Sequence, residues 1–109
     1  MAAALTVHSP IEIPRDHPAY AGHFPKFPVL PGAVLLDEAL QVMQRTWGID
    51  LTQWHVGSAK FLDAVRPGDA LSLEHEAPNN GLIRFTIRTA ERAVASGSLR
   101  SAARAGGGP

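Results

Sequence analysis

The sequence predicts an α+β domain in which one antiparallel β-sheet wraps around a single long helix. Only one segment has the length and composition of a long helix, whereas five segments show strand-like alternation of apolar and polar residues. The chain of 109 residues has room for one compact domain. Because a sheet must bury its apolar face, we expect the helix to cover it.

The first strand is predicted over residues 5–13, where apolar residues occupy alternate positions. Pro10 lacks a backbone donor, so this strand is expected at a sheet edge or at a bulge. The next segment, 14–31, contains five prolines and is predicted to be a long rigid loop without a helix or a central strand. Long loops in small domains are often functional, and this one carries His23.

The long helix is predicted over residues 32–47, with the sequence GAVLLDEALQVMQRTW. Pro31 is well placed at its start, and Gly48 lies just beyond its end. Apolar residues surround most of the helix circumference, so we expect a central helix that is covered on nearly every side.

Four further strands complete the predicted order β, long loop, helix, ββββ, at 53–62, 70–76, 82–90 and 92–100. Turn-forming residues at 66–69 and 78–81 and a tight turn near Glu91 separate these strands. The remaining segment, 101–109, lacks an apolar pattern and ends in a glycine run, so we expect a disordered tail after one domain over 1–100.

Composition excludes several classes of function. Ten basic and ten acidic side chains give a formal net charge of zero, which disfavours nucleic-acid and anionic-membrane partners. The absence of cysteine excludes a thiol nucleophile and a cysteine-ligated metal, and no histidine spacing indicates a metal site, so no cofactor is expected. No apolar run approaches the roughly 18 residues of a membrane helix, so we expect a cytoplasmic protein.

The small size of the domain predicts an oligomer. A chain of this length buries only about two-thirds of its unfolded surface. A pocket deep enough for chemistry is therefore expected to be completed by a second subunit.

Four residues around the start of the long helix could perform chemistry together. Asp37 interrupts an otherwise apolar helix, either as a functional acid or as a carboxylate that the helix dipole favours at a partly wet margin. Gln41 lies one turn later on the same face and could hold the carboxylate or a water. His23 could serve as a base, and the free amide of Gly32 could stabilise a developing oxyanion.

These residues resemble the motif of the 3-hydroxyacyl-acyl-carrier-protein dehydratases, the FabZ and FabA families. The matching elements span 23–41 with every spacing intact: His23-Phe24-Pro25, Pro28-Val29-Leu30-Pro31-Gly32, Leu36-Asp37 and Gln41. A weaker similarity continues through Lys60-Phe61 and the turn at 66–69. The resemblance implies the hotdog fold, and an aspartate at position 37 is similar to the FabA type and to the ApeI-like dehydratases of aryl polyene pathways.

The resemblance also implies a mechanism, in which His23 removes the α-proton of a 3-hydroxyacyl thioester. Asp37, directly or through water, helps the 3-hydroxyl group leave, and the Gly32 N–H group stabilises the charge on the thioester oxygen. The Val29 N–H group is expected to fix the His23 loop. Substrate-binding or supporting roles are expected for Phe24, Val29, Pro31, Gln41 and Phe61.

The implied partners are an acyl carrier protein and a second subunit. Family members place the histidine of one subunit opposite the carboxylate of the other, so a homodimer or higher homo-oligomer with shared sites is expected, or a heterodimer with a paralogue. The acyl group could come from a fatty acid, aryl polyene or polyketide-type pathway. Two alternatives remain: a hotdog acyl thioesterase, and a non-catalytic dehydratase-like subunit.

Two further groups of residues allow two interpretations each. Phe61, Leu62 and Trp54 fit either the lining of an acyl tunnel or plain core. Four arginines near the C-terminus fit either a docking patch for an acidic carrier protein or a solvated sheet face: Arg84, Arg88, Arg92 and Arg100. Four histidines match no motif position and are expected to be structural or exposed: His8, His17, His55 and His75.

Overall fold

The computed structural model describes residues 6–21 and 30–101. The five strands are β1 Thr6–Ile11, β2 Trp54–Phe61, β3 Leu71–Glu76, β4 Leu82–Arg88 and β5 Ala93–Ser101. The helices are α1 Pro18–Ala21 and α2 Gly32–Trp47, and a one-turn 3₁₀ helix at Leu51–Gln53 precedes β2. The predicted strands and long helix are confirmed, with strand bounds that differ by one or two residues. Residues 102–109 of the predicted tail lie outside the described part.

The strands form one antiparallel sheet in the order β1-β3-β4-β5-β2. Among the strands that the structure describes, β1 pairs only with β3, which confirms the expectation that the strand containing Pro10 lies at an edge. β2 forms the other edge, and seven of its eight residues are exposed to solvent. The two edge strands of the sheet are therefore β1, which precedes α2, and β2, which follows it.

A short helix, α1, lies within the segment that was predicted to lack one. Proline is tolerated in the first turn of a helix because the backbone donor it lacks has no partner there, and α1 begins at Pro18. The Nδ1 atom of His17 accepts a hydrogen bond from the Ala19 N–H group at 3.0 Å and so caps this turn. The prediction was wrong for these four residues, and residues 22–29 lie outside the described part of the chain.

The bounds predicted for α2 are confirmed at both ends. The Pro31 carbonyl accepts hydrogen bonds from the N–H groups of Val34 and Leu35 at 3.0 and 3.1 Å, which begins the helix. Gly48 ends it in the left-handed conformation, with φ of 63°, and its N–H group donates to the Gln44 carbonyl at 2.9 Å.

The burial of α2 is one-sided, which corrects the expectation of a helix covered on nearly every side. Its buried residues, Leu35, Ala39, Val42 and Met43, all face the sheet. Asp37 and Gln41 lie on the opposite side and are exposed. The apolar residues that flank the buried stripe are only half-buried, because one sheet covers only one side of a helix.

The inner face of the sheet supplies the rest of the core. Alternation along β3, β4 and β5 places apolar side chains against α2, and the largest fully buried ones are Leu73, Ile83, Ile87, Val94 and Leu99, together with Met43 of the helix. Polar and charged side chains occupy the outer face of the same strands. The expected architecture, a sheet that wraps around one long helix, is confirmed.

A buried histidine ties the C-terminal end of α2 to β1 and β3. His75 on β3 is 1% exposed, and its Nδ1 atom accepts a hydrogen bond from Trp47 Nε1 at 2.9 Å. The Nε2 atom of His75 lies 2.9 Å from Ser9 Oγ on β1. Because Nδ1 is an acceptor, the Trp47 bond requires the neutral ring with its proton on Nε2. The expectation of a structural histidine is confirmed at this position.

Stability is expected to fall in weak acid because of His75. Burial, together with the nearby His8, lowers the pKa of His75 below its usual value of about 6.5. Below pH 6.5, the unfolded chain therefore binds a proton at His75 more readily than the folded chain does. The contribution of neutral His75 to the free energy of unfolding is complete above pH 6.5 and is lost as the pH falls below that value. The limiting slope for one proton is about 1.4 kcal/mol per pH unit.

Urea unfolding of the wild type and His75→Gln at pH 7.5 and 5.5 measures this effect. His55→Gln is the control, since His55 is exposed on β2. His75→Gln should be less stable than the wild type at pH 7.5 and should lose less stability between the two pH values. An equal loss in all three proteins would contradict the assignment to His75.

Candidate functional site

A cavity of about 430 Å³ lies at the N-terminal end of α2. It is formed between the start of the helix and the chain that follows β2. Its lining residues are Leu30, Gly32, Ala33, Leu35, Phe61, Asp63 and Val65. Apart from Gly32 and Asp63, these side chains are apolar, so the cavity suits an apolar group that carries a polar atom at one end.

Gly32 brings a backbone donor to the wall of this cavity. It is the first residue of α2, where an N–H group has no partner within the helix, and no partner for it is found among residues 6–21 and 30–101. A Cβ atom at this position would lie 2.9 Å from two carbons of the Phe61 ring. Glycine therefore allows the ring to approach the helix start, where an N–H group can donate to a ligand oxygen.

Asp37 and Gln41 form a hydrogen-bonded pair on the exposed side of α2. The Nε2 atom of Gln41 donates to Asp37 Oδ2 at 2.9 Å, as their spacing of four residues predicts. Neither residue lines the cavity beside Gly32. In the part of the chain that the structure describes, the Asp37 carboxylate is exposed and lies outside the lining of the Gly32 cavity.

Three of the residues predicted for the site, His23, Phe24 and Val29, lie outside the described residues. Their roles remain predictions. The chain is described again from Leu30, which is buried and donates its N–H group to the Val65 carbonyl at 2.8 Å. This bond places Pro31 and the start of α2 against the segment that follows β2.

The side chains at the end of β2 are more exposed than a core interpretation allows. Phe61 and Leu62 are each 52% exposed, so the interpretation as plain core was wrong for both. Trp54, at the other end of β2, is half-buried and packs against the core. Phe61 alone among these three residues lines the cavity beside Gly32.

The structure adds an ion pair at the cavity that the sequence did not indicate. Arg92 Nε donates to Asp63 Oδ2, and Arg92 Nη2 donates to the Ala64 carbonyl at 3.3 Å. The Ala64 N–H group, and then Arg92, lower the pKa of Asp63, so its carboxylate is ionised near neutral pH. Residues 29 positions apart form this pair, and no local pattern in the sequence signals it.

The four C-terminal arginines do not form one patch. Arg84, Arg88 and Arg100 lie on the outer face of the sheet, where Arg88 Nε is 3.6 Å from Glu74 Oε2. Arg92 is separate from them because it lies in the turn between β4 and β5 and binds Asp63. The expectation that all four arginines lie on one surface was therefore wrong for Arg92.

Residues 6–21 and 30–101 carry neither a membrane-spanning helix nor a cluster of metal ligands. No helix there is long and apolar enough to cross a membrane. No group of three or more histidine, aspartate or glutamate side chains in those ranges is placed to hold a metal ion.

Sequence comparison places the chain among dehydratases. The model of the ApeI-like family, described as ApeI dehydratase, matches residues 2–98. The FabZ 3-hydroxyacyl-[acyl-carrier-protein] dehydratase of Chlamydia caviae is 34% identical over 70 residues, which are 56% of this chain and 46% of the relative. FabZ of Hydrogenobaculum sp. is 29% identical over 102 residues, which are 82% of this chain and 69% of the relative. The chain spans about half the length of the first of these curated relatives.

Solved structures show the same fold. The dehydratase heterocomplex ApeI:P of Xenorhabdus doucetiae has a chain with a TM-score of 0.71 and 20% identity, covering 90% of this chain and 88% of its own. The (R)-hydratase of A. caviae has a TM-score of 0.64 and 12% identity, covering 93% and 97% respectively. The expected hotdog fold is thereby confirmed. The match of the family model over residues 2–98 shows that the chain belongs to the ApeI-like dehydratase family.

Proposed function

We propose that the chain dehydrates a 3-hydroxyacyl thioester, carried on an acyl carrier protein, to the trans-2-enoyl thioester. The observation that carries this proposal is the position of three motif residues, Gly32, Asp37 and Gln41, on α2. Gly32 presents its amide at a largely apolar cavity, and Asp37 accepts a hydrogen bond from Gln41 at 2.9 Å. His23 belongs to the same motif and supplies the base.

The proposed reaction balances as the loss of one water. His23, in its neutral form, takes the proton from the α-carbon, and the electron pair of that C–H bond forms the double bond to the β-carbon. The bond from the β-carbon to its hydroxyl oxygen breaks, and Asp37, directly or through a water, delivers the proton that turns the leaving group into water. The Gly32 N–H group donates to the thioester oxygen while negative charge develops there.

A second subunit is part of this proposal. The exposed side of α2 carries Asp37, and a buried acid–base site requires that side to be covered. No strand among residues 6–21 and 30–101 pairs with the outer edge of β2, where Val56 and Phe61 are exposed, and another strand can pair with such an edge. We propose that the histidine of one subunit then faces the carboxylate of the other, in a homo-oligomer or in a heterodimer with a paralogue.

The acyl group is proposed to bind in the cavity beside Gly32. Phe61 and Leu35 supply apolar walls, and the helix start supplies a polar end. The carrier protein is suggested by the names of the curated FabZ relatives, and the pathway could be that of a fatty acid, an aryl polyene or a polyketide.

Hydration of a carrier-bound trans-2-enoyl thioester tests the proposal, because dehydration is reversible. The wild type should cause a loss of enoyl absorbance and a mass gain of one water. Free acid with free carrier thiol would instead establish a thioesterase. No product at several acyl lengths would favour the non-catalytic subunit, and co-purification with a paralogue would then be sought.

A further inference from the structure

The segment that follows β2, residues 62–65, connects the sheet to the start of α2. The N–H groups of Leu62 and Asp63 donate to the Val94 carbonyl of β5 at 2.8 and 3.3 Å. At the other end of the segment, the Val65 carbonyl accepts the Leu30 N–H group at 2.8 Å. Leu30 lies two residues before Gly32, so this bond joins the segment to the chain that enters the helix.

Arg92 holds the middle of this segment from outside the cavity. Its guanidinium donates to Asp63 Oδ2 and to the Ala64 carbonyl, so one side chain binds two consecutive residues. Asp63 Oδ1 also accepts the Ala64 N–H group at 2.8 Å. The carboxylate is thereby held on both of its oxygens.

The turn between β4 and β5 orients the Arg92 side chain. Thr89 Oγ1 accepts the Arg92 N–H group at 3.2 Å and lies 3.5 Å from Arg92 Nη1. The Thr89 N–H group donates to the Arg92 carbonyl at 2.9 Å, which closes the turn. Arg92 therefore extends from a turn with its own hydrogen bonds and is restricted in its rotamers.

The segment supplies one wall of the cavity beside Gly32. Asp63 and Val65 line the cavity, as does Phe61 immediately before the segment, whereas Arg92 itself does not. A shift of the segment would move these three side chains relative to the Gly32 amide. Arg92 can thus influence the fit of a ligand without contact with it.

We propose that Arg92 is a positioning residue, which holds the cavity wall against the start of α2 through Asp63 and Ala64 and so sets the fit of the acyl chain. This inference rests on the proposed function. Long acyl chains, which contact the wall, depend on Arg92 more strongly than short ones. The same contact fixes the hydrogen bond between Leu30 and Val65 whether or not a substrate is present.

Hydrogen exchange tests the structural half of the proposal without any substrate. Arg92→Met should accelerate exchange of the Leu30, Leu62 and Asp63 amides at least tenfold. The matched control is Arg88→Met, which removes the arginine–carboxylate pair with Glu74 on the outer face of the sheet. Unchanged exchange at these amides in Arg92→Met, or equal acceleration in both variants, would overturn the proposal.

Kinetics test the functional half with enoyl thioesters of four and ten carbons. Arg92→Met should raise KM for the ten-carbon substrate at least fivefold, leave KM for the four-carbon substrate and kcat for both within twofold, and be partly rescued in Arg92→Lys. An equal loss of kcat at both lengths, with a lowered Tm, would show a merely structural role and overturn the proposal. An inactive wild type would refute the proposed function, and the exchange experiment would then decide the role of Arg92 by itself.

Discussion

Asp37→Asn is expected to lower the rate of enoyl thioester hydration by about 10²–10⁴-fold, the usual contribution of a positioned general acid or base. Asparagine keeps an oxygen that can accept the hydrogen bond from Gln41, but it cannot exchange a proton with the leaving hydroxyl group. Because Asp37 is exposed, the free energy of unfolding should change by less than about 0.5 kcal/mol. His23→Ala should cause a loss of the same order, since the base is removed.

Glu38→Gln is the matched control for this experiment. Glu38 is the neighbouring carboxylate on the same helix and lies outside the motif. It should keep the wild-type rate within about twofold, because it takes no part in the proton transfers. The loss of enoyl absorbance measures the rates, and the Tm of each variant should equal that of the wild type, so that a lower rate does not reflect unfolding. A wild-type rate in Asp37→Asn, or an equal loss in Glu38→Gln, would remove Asp37 from the proposed mechanism.

Gly97→Ala is expected to destabilise the fold by about 1–3 kcal/mol, the typical range for overpacking. Gly97 lies on β5 between Phe85 of β4 and Ala59 of β2. A Cβ atom there would overlap the Ser58 carbonyl oxygen and would lie 2.9 Å from the Phe85 ring. Backbone cannot rotate away as a side chain can, so β2 would have to separate from β5.

The matched control is Gly57→Ala in the neighbouring strand β2. A Cβ atom at Gly57 would meet Ser98 Oγ at 3.0 Å, and this hydroxyl group can rotate away. Urea unfolding should place Gly57→Ala within about 0.5 kcal/mol of the wild type. Equal stability of the two variants would show that β2 can move away from β5 without cost. Loss of the β2 edge in Gly97→Ala should also weaken the proposed subunit contact, which sizing of the same samples measures.

The family and the candidate catalytic residues could be predicted from the sequence because their signals are local. The spacing from His23 to Gln41 is a property of consecutive residues, and the hydrogen bond between Asp37 and Gln41 follows from one helical turn. The cavity wall could not be predicted in this way. Its ion pair joins Asp63 to Arg92, and their approach depends on how β2 pairs with β5.

The burial of α2 is a second feature that could not be predicted from the sequence. A pattern of apolar residues indicates which positions avoid water, but it does not say whether the same chain or a second one covers them. The structure assigns Leu35, Ala39, Val42 and Met43 to the sheet and leaves the Asp37 side open. The helix α1 was missed because a proline-rich segment indicates a loop, whereas a proline in the first turn and a histidine cap allow four helical residues.

The sequence by itself determined the bounds of α2, the number of strands and the motif that identifies the family. Helix caps, alternation and motif spacing are set by neighbouring residues, and Pro31 and Gly48 are sufficient to begin and end the helix. The tertiary structure alone decided the strand order, the one-sided burial of α2, the buried bond between Trp47 and His75, and the ion pair between Asp63 and Arg92 at the cavity wall. Each of these joins residues far apart in the chain, and such contacts form only where the packing of the whole domain brings them together.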